Sequence, residues 1–256
     1  MTFTELIPLI HLGNNSKLRI LTTTISLMSI AALSTASTTA QCSATTVPQR
    51  MFLSESLKTA DLQSASLYSI DTVLGSVQES SSPIRSGDAI RKHMGDEGAI
   101  CFVVRRPGCV FCREEGVELV ELNKNHPELQ GFGFFGTIKE TGVDDEGLIE
   151  FAKLYPYPLY RDADLTFYKA LGDRRLTLET WNPIRIFNGV FWLREAMKRV
   201  GDRKLEGNLK GEGLTKGGVI IFGKDGTQKY AYAEETFEEF PTAEILAAVR
   251  ALKAEQ

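Results

Sequence analysis

Basic residues are not in excess in this chain. Lys and Arg number 29 against 33 Asp and Glu, for a net charge of −4. Binding a phosphate backbone needs a basic face, so nucleic acid is not an expected partner. Uninterrupted apolar runs of the ~20 residues needed to cross a bilayer are also missing, which argues against a stable membrane span. Only four cysteines occur in 256 residues, Cys42, Cys101, Cys109 and Cys112. That is too sparse for a disulfide scaffold of the kind small secreted domains use. The histidines are few as well: His11, His93 and His126.

Acid is scarce at the N-terminus. Glu5 is the sole acid before Glu55, and Thr22 to Thr46 is crowded with Ser, Thr and Ala, with Lys17, Arg19 and Arg50 as the basic residues. Acid-poor, hydroxyl-rich leaders with a few basic residues characterise organellar transit peptides. The expectation for residues 1–50 is therefore a disordered targeting peptide, plastid favoured over mitochondrial. Two other readings stand beside it. Lys17 and Arg19 ahead of Ile20–Leu33 resemble a secretory signal, and a plain disordered tail has the same composition. Residues 51–86 read as a linker and N-terminal extension, with a short helix within Leu57–Leu67, an early strand near Tyr68–Leu74 and a Ser-rich loop at Glu79–Pro83.

What is present from Ser86 onward is regular. Ser86 as N-cap, with Ile90 and Met94, gives a short helix ending at Gly95. Ala99–Val104 is a continuous apolar run, the pattern of a strand buried on both faces. A helix follows from Cys109 or Val110 to Lys124, stopped by Pro127. Phe132–Ile138 is a second buried strand, Asp144–Leu154 a helix, Pro158–Tyr160 a short strand and Leu165–Leu171 a short helix. Residues 173–216 read as an irregular insertion. Val219–Phe222 and Lys229–Ala233 form a hairpin across Lys224-Asp225-Gly226, a strong Asp-Gly turn signal. An amphipathic helix, Thr242–Lys253, closes the chain with Ile245, Leu246, Val249 and Leu252 as its buried stripe. This order is α/β, with a central mixed sheet flanked by helices and an insertion before the C-terminal hairpin.

The chemistry concentrates at Arg105-Arg106-Pro107-Gly108-Cys109-Val110-Phe111-Cys112-Arg113, where the first buried strand gives way to a helix. Cysteines at i and i+3 across a first helical turn lie within disulfide range, a Cα separation of ~4.4–6.8 Å. A Cys at the N-cap faces unpaired N–H groups and the positive end of the helix dipole, which stabilise a thiolate. Arg105, Arg106 and Arg113 are expected to add positive charge, Pro107 to end the strand, and Gly108 to turn the chain and leave room beside the sulfur. Cys109 is thus assigned as the attacking thiolate and the more exposed of the two, and Cys112 as the resolving thiol. The implied cycle is attack on a peroxide or disulfide, closure of a Cys109–Cys112 disulfide, and reduction by an outside thiol.

Competing readings of the pair are weaker. Zinc needs two further ligands and there is no second CxxC, so no metal is expected. Inert buried thiols are disfavoured by the helix-start position. Cys101 sits within an apolar run and reads as core. Gly207–Gly218 lacks the Lys-Ser/Thr ending of a phosphate-binding loop and precedes a strand, so it reads as a loop packed near the site. Trp181–Arg203 mixes apolar and basic residues. It is either a docking surface or, the favoured reading, an inserted helix with its apolar side in the core. Asp162 and Asp164 read as a loop pair.

The cysteine segment, together with Leu159-Tyr160-Arg161-Asp162, Phe167-Tyr168-Lys169-Ala170-Leu171-Gly172, Gly207-Asn208-Leu209-Lys210-Gly211-Glu212-Gly213 and Gly217-Gly218-Val219, resembles the peroxiredoxin-like 2 family of AhpC/TSA-type antioxidant proteins over residues 87–253. The family includes prostamide/prostaglandin F synthase-like members. The resemblance implies a thioredoxin-like domain at 87–256 and a thiol-dependent oxidoreductase acting on peroxides or lipid endoperoxides. It implies no bound cofactor and an external reductant: thioredoxin, glutathione or an NADPH-linked system. True peroxiredoxins carry a Thr three residues before the attacking Cys and a Pro seven before, where this chain has Arg106 and Phe102. Where thioredoxins place a cis-proline opposite the sulfurs, this chain has Gly217-Gly218, read as a wider gap for substrate. These departures leave the substrate open and keep a second function in view, a redox-sensing thioredoxin-fold binding module with little turnover.

Overall fold

The computed structural model describes residues 59–175, 183–235 and 238–255. The leader expected at 1–50, with Cys42, lies outside the described residues, as does Trp181.

Two helix-sheet units share one sheet. The first is β4 (Gly98–Val103), α3 (Val110–Asn125) and β5 (Phe132–Ile138), with β4 and β5 parallel. The second is the hairpin β7 (Gly218–Phe222) and β8 (Gln228–Ala233) followed by α7 (Thr242–Ala254), with β7 antiparallel to β4. A βαβ unit and a ββα unit joined through their first strands make a thioredoxin-like core. Between them come α4 (Asp145–Leu154), β6 (Leu159–Asp162), which extends the parallel set beside β5, and α5 (Thr166–Ala170).

All six residues of β4 are buried, as its unbroken apolar run requires of a strand covered on both faces. Alternate residues serve opposite sides. Ile100, Phe102 and Val104 join one hydrophobic cluster, with α3, α4 and α7, while Ala99, Cys101 and Val103 join the other, with α5. The period of two therefore puts Cys101 across the sheet from Cys109 and Cys112, which lie in the first cluster. Burial pushes the Cys101 thiol well above its usual range, as a core cysteine requires.

The stretch before Gly87 is built into this sheet. Helix α1 (Thr59–Ser64) leads to β1 (Ser66–Asp71), which pairs antiparallel with β6 and carries the two-residue strands β2 (Gln78–Glu79) and β3 (Ile84–Arg85). The N-cap of α2 (Ser86–Lys92) is Arg85 and not Ser86, which is the first helical residue and whose hydroxyl instead donates to Leu62 O and docks α1.

The insertion at 173–216 is not irregular throughout, and the inserted helix favoured for Trp181–Arg203 is present over 183–202. This is α6 (Pro183–Asp202), a 20-residue helix. Ala196 and Val200 are its buried anchors, and Trp192 packs on Phe111 of α3 with ring centroids 5.3 Å apart. Arg199 and Arg203 bond Glu114 and Glu121 of α3 at 2.8 and 3.0 Å. The apolar side is not wholly in the core: Val190, Phe191, Leu193 and Met197 are exposed.

Candidate active site

Cys109 is the N-cap of α3, with extended backbone, so its side chain sits over the open first turn. Its sulfur is held close to 3.1 Å from Arg105 Nη2. Four contacts lower the Cys109 pKa to about 4. A hydrogen bond with the Cys112 thiol is the largest, outweighing the opposing effect of burial, and the charge of Arg105 and the backbone N–H groups of Cys112 and Phe111 add to it. Cys112 moves the other way. Its hydrogen bond to Cys109, then burial, pushes it well above the ordinary thiol range. The pair thus divides into one thiolate and one thiol.

Cys109 is only 5% exposed and Cys112 1%, so the expected difference in exposure is small. Access separates them better. Cys109 lines a cavity of about 1070 Å³, and Cys112 does not. The cavity runs between α3, α6 and the start of α7. Its walls are part apolar (Phe111, Trp192, Met197, Phe240) and part carboxylate (Glu115, Glu118, Glu234). Glu118 is pushed up to about 7 by burial and by the neighbouring Glu114 charge, partly offset by Arg203 and Arg199.

Of the three arginines expected to supply charge, only Arg105 faces the sulfur. Arg106 reaches the glycine-rich loop instead, donating through Nη1 to Leu209 O at 3.0 Å and Gly211 O at 3.5 Å. Arg113 is buried and gives its guanidinium to three carbonyls: Pro107 O at 3.0 Å, Glu206 O at 2.7 Å and Gly147 O at 3.1 Å. It ties the cysteine loop, the end of the insertion and α4 together. Gly207–Gly218 does pack at the site: Asn208 N–H bonds Gly108 O at 2.6 Å, and Asn208 Nδ2 bonds Asp144 Oδ2 at 2.9 Å.

The glycines leave no space for substrate. A Cβ on Gly108 would meet Asp144 Oδ2 at 2.3 Å and Asn208 Oδ1 at 2.4 Å, so the room beside it is already filled. At Gly217 a Cβ would lie 2.1 Å from Val103 O, and at Gly218 1.9 Å from Tyr232 O. Both glycines let β7 approach its neighbours in the sheet, and neither lines the cavity. The wider gap expected opposite the sulfurs is therefore absent at these positions.

Glu234 was not foreseen. It follows β8 directly, places Oε1 3.4 Å from Arg105 Nη2 and accepts from Gly217 N–H at 3.3 Å through Oε2. Burial raises its pKa against the opposing charge of Arg105. Asp162 accepts from Phe167 N–H at 2.8 Å and starts α5, while Asp164 accepts from Ser66 N–H at 3.2 Å, so the two have separate structural uses. The Tyr160 and Tyr168 rings are buried, and the Tyr168 hydroxyl donates to Val104 O at 2.8 Å, fixing the end of β4 just ahead of the cysteines.

Residues 121–236 match the family model described as AhpC/TSA antioxidant enzyme, a stretch that begins beyond both cysteines. Peroxiredoxin-like 2A of Mus musculus is 30% identical over 164 residues, covering 61% of this chain and 67% of that protein. Prostamide/prostaglandin F synthase of Salmo salar is 29% identical over 133 residues, covering 51% and 62%. The chain spans about half to two thirds of the length of the curated relatives it matches. Among solved structures, a cysteine mutant of PrxQ from Xylella fastidiosa aligns over 80% of this chain and 97% of its own, at 12% identity and a TM-score of 0.44, too distant to bear on the site.

Proposed function

This chain belongs to the peroxiredoxin-like 2 family of AhpC/TSA antioxidant proteins, and from that premise we propose that it is a thiol-dependent oxidoreductase that reduces peroxides, lipid endoperoxides among them, through a Cys109–Cys112 dithiol–disulfide cycle. The observation that carries the reading is the contact of Arg105 with a Cys109 sulfur that lines the cavity while Cys112 lies beneath it.

The cycle begins with Cys109 thiolate attacking a peroxide oxygen. The O–O bond breaks and Cys109 becomes a sulfenic acid. Arg105 is placed to hold the negative charge as it passes from sulfur to the departing oxygen. Cys112, one helical turn inside, then displaces water to form the disulfide. An external thiol returns both sulfurs to the reduced state. No bound cofactor is required by these steps. The mixed walls of the cavity, aromatic rings beside carboxylates, suit a substrate with an apolar body and a polar oxidised group. An organellar, plastid address read from residues 1–50 belongs to the same proposal, and a fluorescent fusion of those residues tests it.

The test uses reduced protein and stoichiometric peroxide, followed by intact mass and intrinsic fluorescence. Wild type should lose two hydrogens rapidly, Cys112→Ser should gain one oxygen, and Cys109→Ser should do neither. Reaction no faster than that of free cysteine would refute the peroxidase reading.

A further inference from the structure

One guanidinium at this site faces a cysteine sulfur and a carboxyl group. Arg105 Nη2 donates to Cys109 Sγ at 3.1 Å, and the same nitrogen lies 3.4 Å from Glu234 Oε1. Glu234 is fixed where it stands: its backbone N–H bonds Gly217 O at 2.9 Å while its Oε2 accepts from Gly217 N–H at 3.3 Å. Its side chain is 13% exposed, so water screens it little. It lines the same cavity as Cys109. The titratable groups facing it are Cys109 at the N-cap of α3, Cys112 and Glu115 within α3, Arg105 from the loop ahead of it, Lys216 from the segment before β7, and Tyr232 from β8. Lys216 is itself engaged with Glu235 at 3.6 Å.

With Cys109 as a thiolate, Arg105 is shared between it and Glu234. With Cys109 tied in a disulfide, the sulfur carries no charge and Arg105 belongs to Glu234 alone. We propose that Glu234 changes protonation with the redox state of the cysteine pair, protonated beside the thiolate and ionised beside the disulfide, and so supplies the second proton of turnover. The inference rests on the dithiol cycle proposed above.

The balance closes on the protein's own groups. Reducing ROOH to ROH and water consumes two electrons and two protons. Cys109 thiolate takes the terminal oxygen and the O–O bond breaks. The leaving alkoxide receives the Glu234 proton and departs as ROH. Cys112 sulfur then attacks Cys109, and the hydroxide displaced leaves as water with the Cys112 proton. Cys109 and Cys112 end oxidised as a disulfide, and Glu234 ends as a carboxylate. A protonated Glu234 also adds no negative charge to the cavity when peroxide enters.

The measurement is the pH dependence of the dithiol–disulfide equilibrium, set by a thiol redox buffer and read by alkylation and mass, with the buffer's own pH dependence removed. Above the pKa of Cys109, oxidation of the wild type releases protons from Cys112 and Glu234. Its equilibrium constant should shift about a hundredfold per pH unit, easing to about tenfold once Glu234 ionises in the reduced protein as well. Glu234→Gln should shift about tenfold per unit throughout, and Glu234→Asp should restore the steep limb. The same dependence in wild type and Glu234→Gln would overturn the inference and leave the cycle intact. Failure of the wild type to form the disulfide would overturn both. If Glu234→Gln does not fold, infrared difference spectra of the wild type decide: a protonated carboxyl band lost on oxidation is the expected result, and its absence refutes the proposal.

Discussion

Replacing Arg105 by Met removes a charge at hydrogen-bond distance from Cys109 and leaves the helix N-cap and the Cys112 thiol in place. An opposite charge at contact lowers a pKa by about 1–3 pH units, so the Cys109 pKa should rise from about 4 into the range of roughly 5–7. At about 1.4 kcal/mol per unit, Arg105 stabilises the thiolate by about 1–4 kcal/mol. The assay is alkylation rate against pH on reduced protein in a Cys42→Ser, Cys101→Ala background, which removes both cysteines outside the pair. At pH 5 the rate should fall between about twofold and about ninetyfold, as the thiolate fraction falls. At pH 9 the two proteins should react alike, which controls for access. An unchanged titration would show that the Cys112 hydrogen bond and the α3 N–H groups hold the thiolate alone, refuting the role given to Arg105. The same pKa sets a trend in stability. Because Cys109 is lowered on folding, its thiolate stabilises the reduced fold fully above the unfolded value of ~8.5, and this contribution is lost as pH falls toward about 4. Urea unfolding of reduced wild type should show that loss, and Cys109→Ser should not.

Two further substitutions test the scaffold. Arg113→Met strands three carbonyls and should cost about 3–5 kcal/mol, seen as a lower denaturation midpoint, with slower disulfide closure as the cysteine loop loosens. Gly217→Ala drives a methyl into Val103 O and should cost about 1–3 kcal/mol while raising the Cys109 pKa through displacement of Arg105, read by the same alkylation profile.

The features that sequence made visible are local ones. The β4–α3 junction shows itself because an unbroken apolar run and a helix-opening cysteine lie side by side in the chain. The β7–β8 hairpin does so because Asp225 and Gly226 have turn chemistry, with Asp225 accepting from Thr227 N–H at 2.9 Å. Glu234 was hidden for the opposite reason. It meets Arg105 only through the register that pairs Val103 with Gly218 and Gly218 with Ala233, a fact of long-range pairing. The glycines at 217 and 218 misled because a missing Cβ can open space for a ligand or for a neighbouring strand, and only the packing says which. The strand β1 was visible as a strand, while its membership of the sheet depends on β6 far along the chain. Helix α6 was legible as an inserted helix, while its seat on α3 comes from Trp192 and two arginine–glutamate pairs, contacts between segments far apart in the chain.

Arg113 and Arg105 lie on either side of Cys109 and are neutralised differently. Arg105 answers to a thiol sulfur and a carboxyl group, both of them titratable. Arg113 answers to three peptide dipoles, which do not titrate. In the proposed cycle one flank of the cysteine pair would change charge while the other keeps its geometry at any physiological pH. The division lets the site respond to oxidation without letting go of the loop that presents the sulfur.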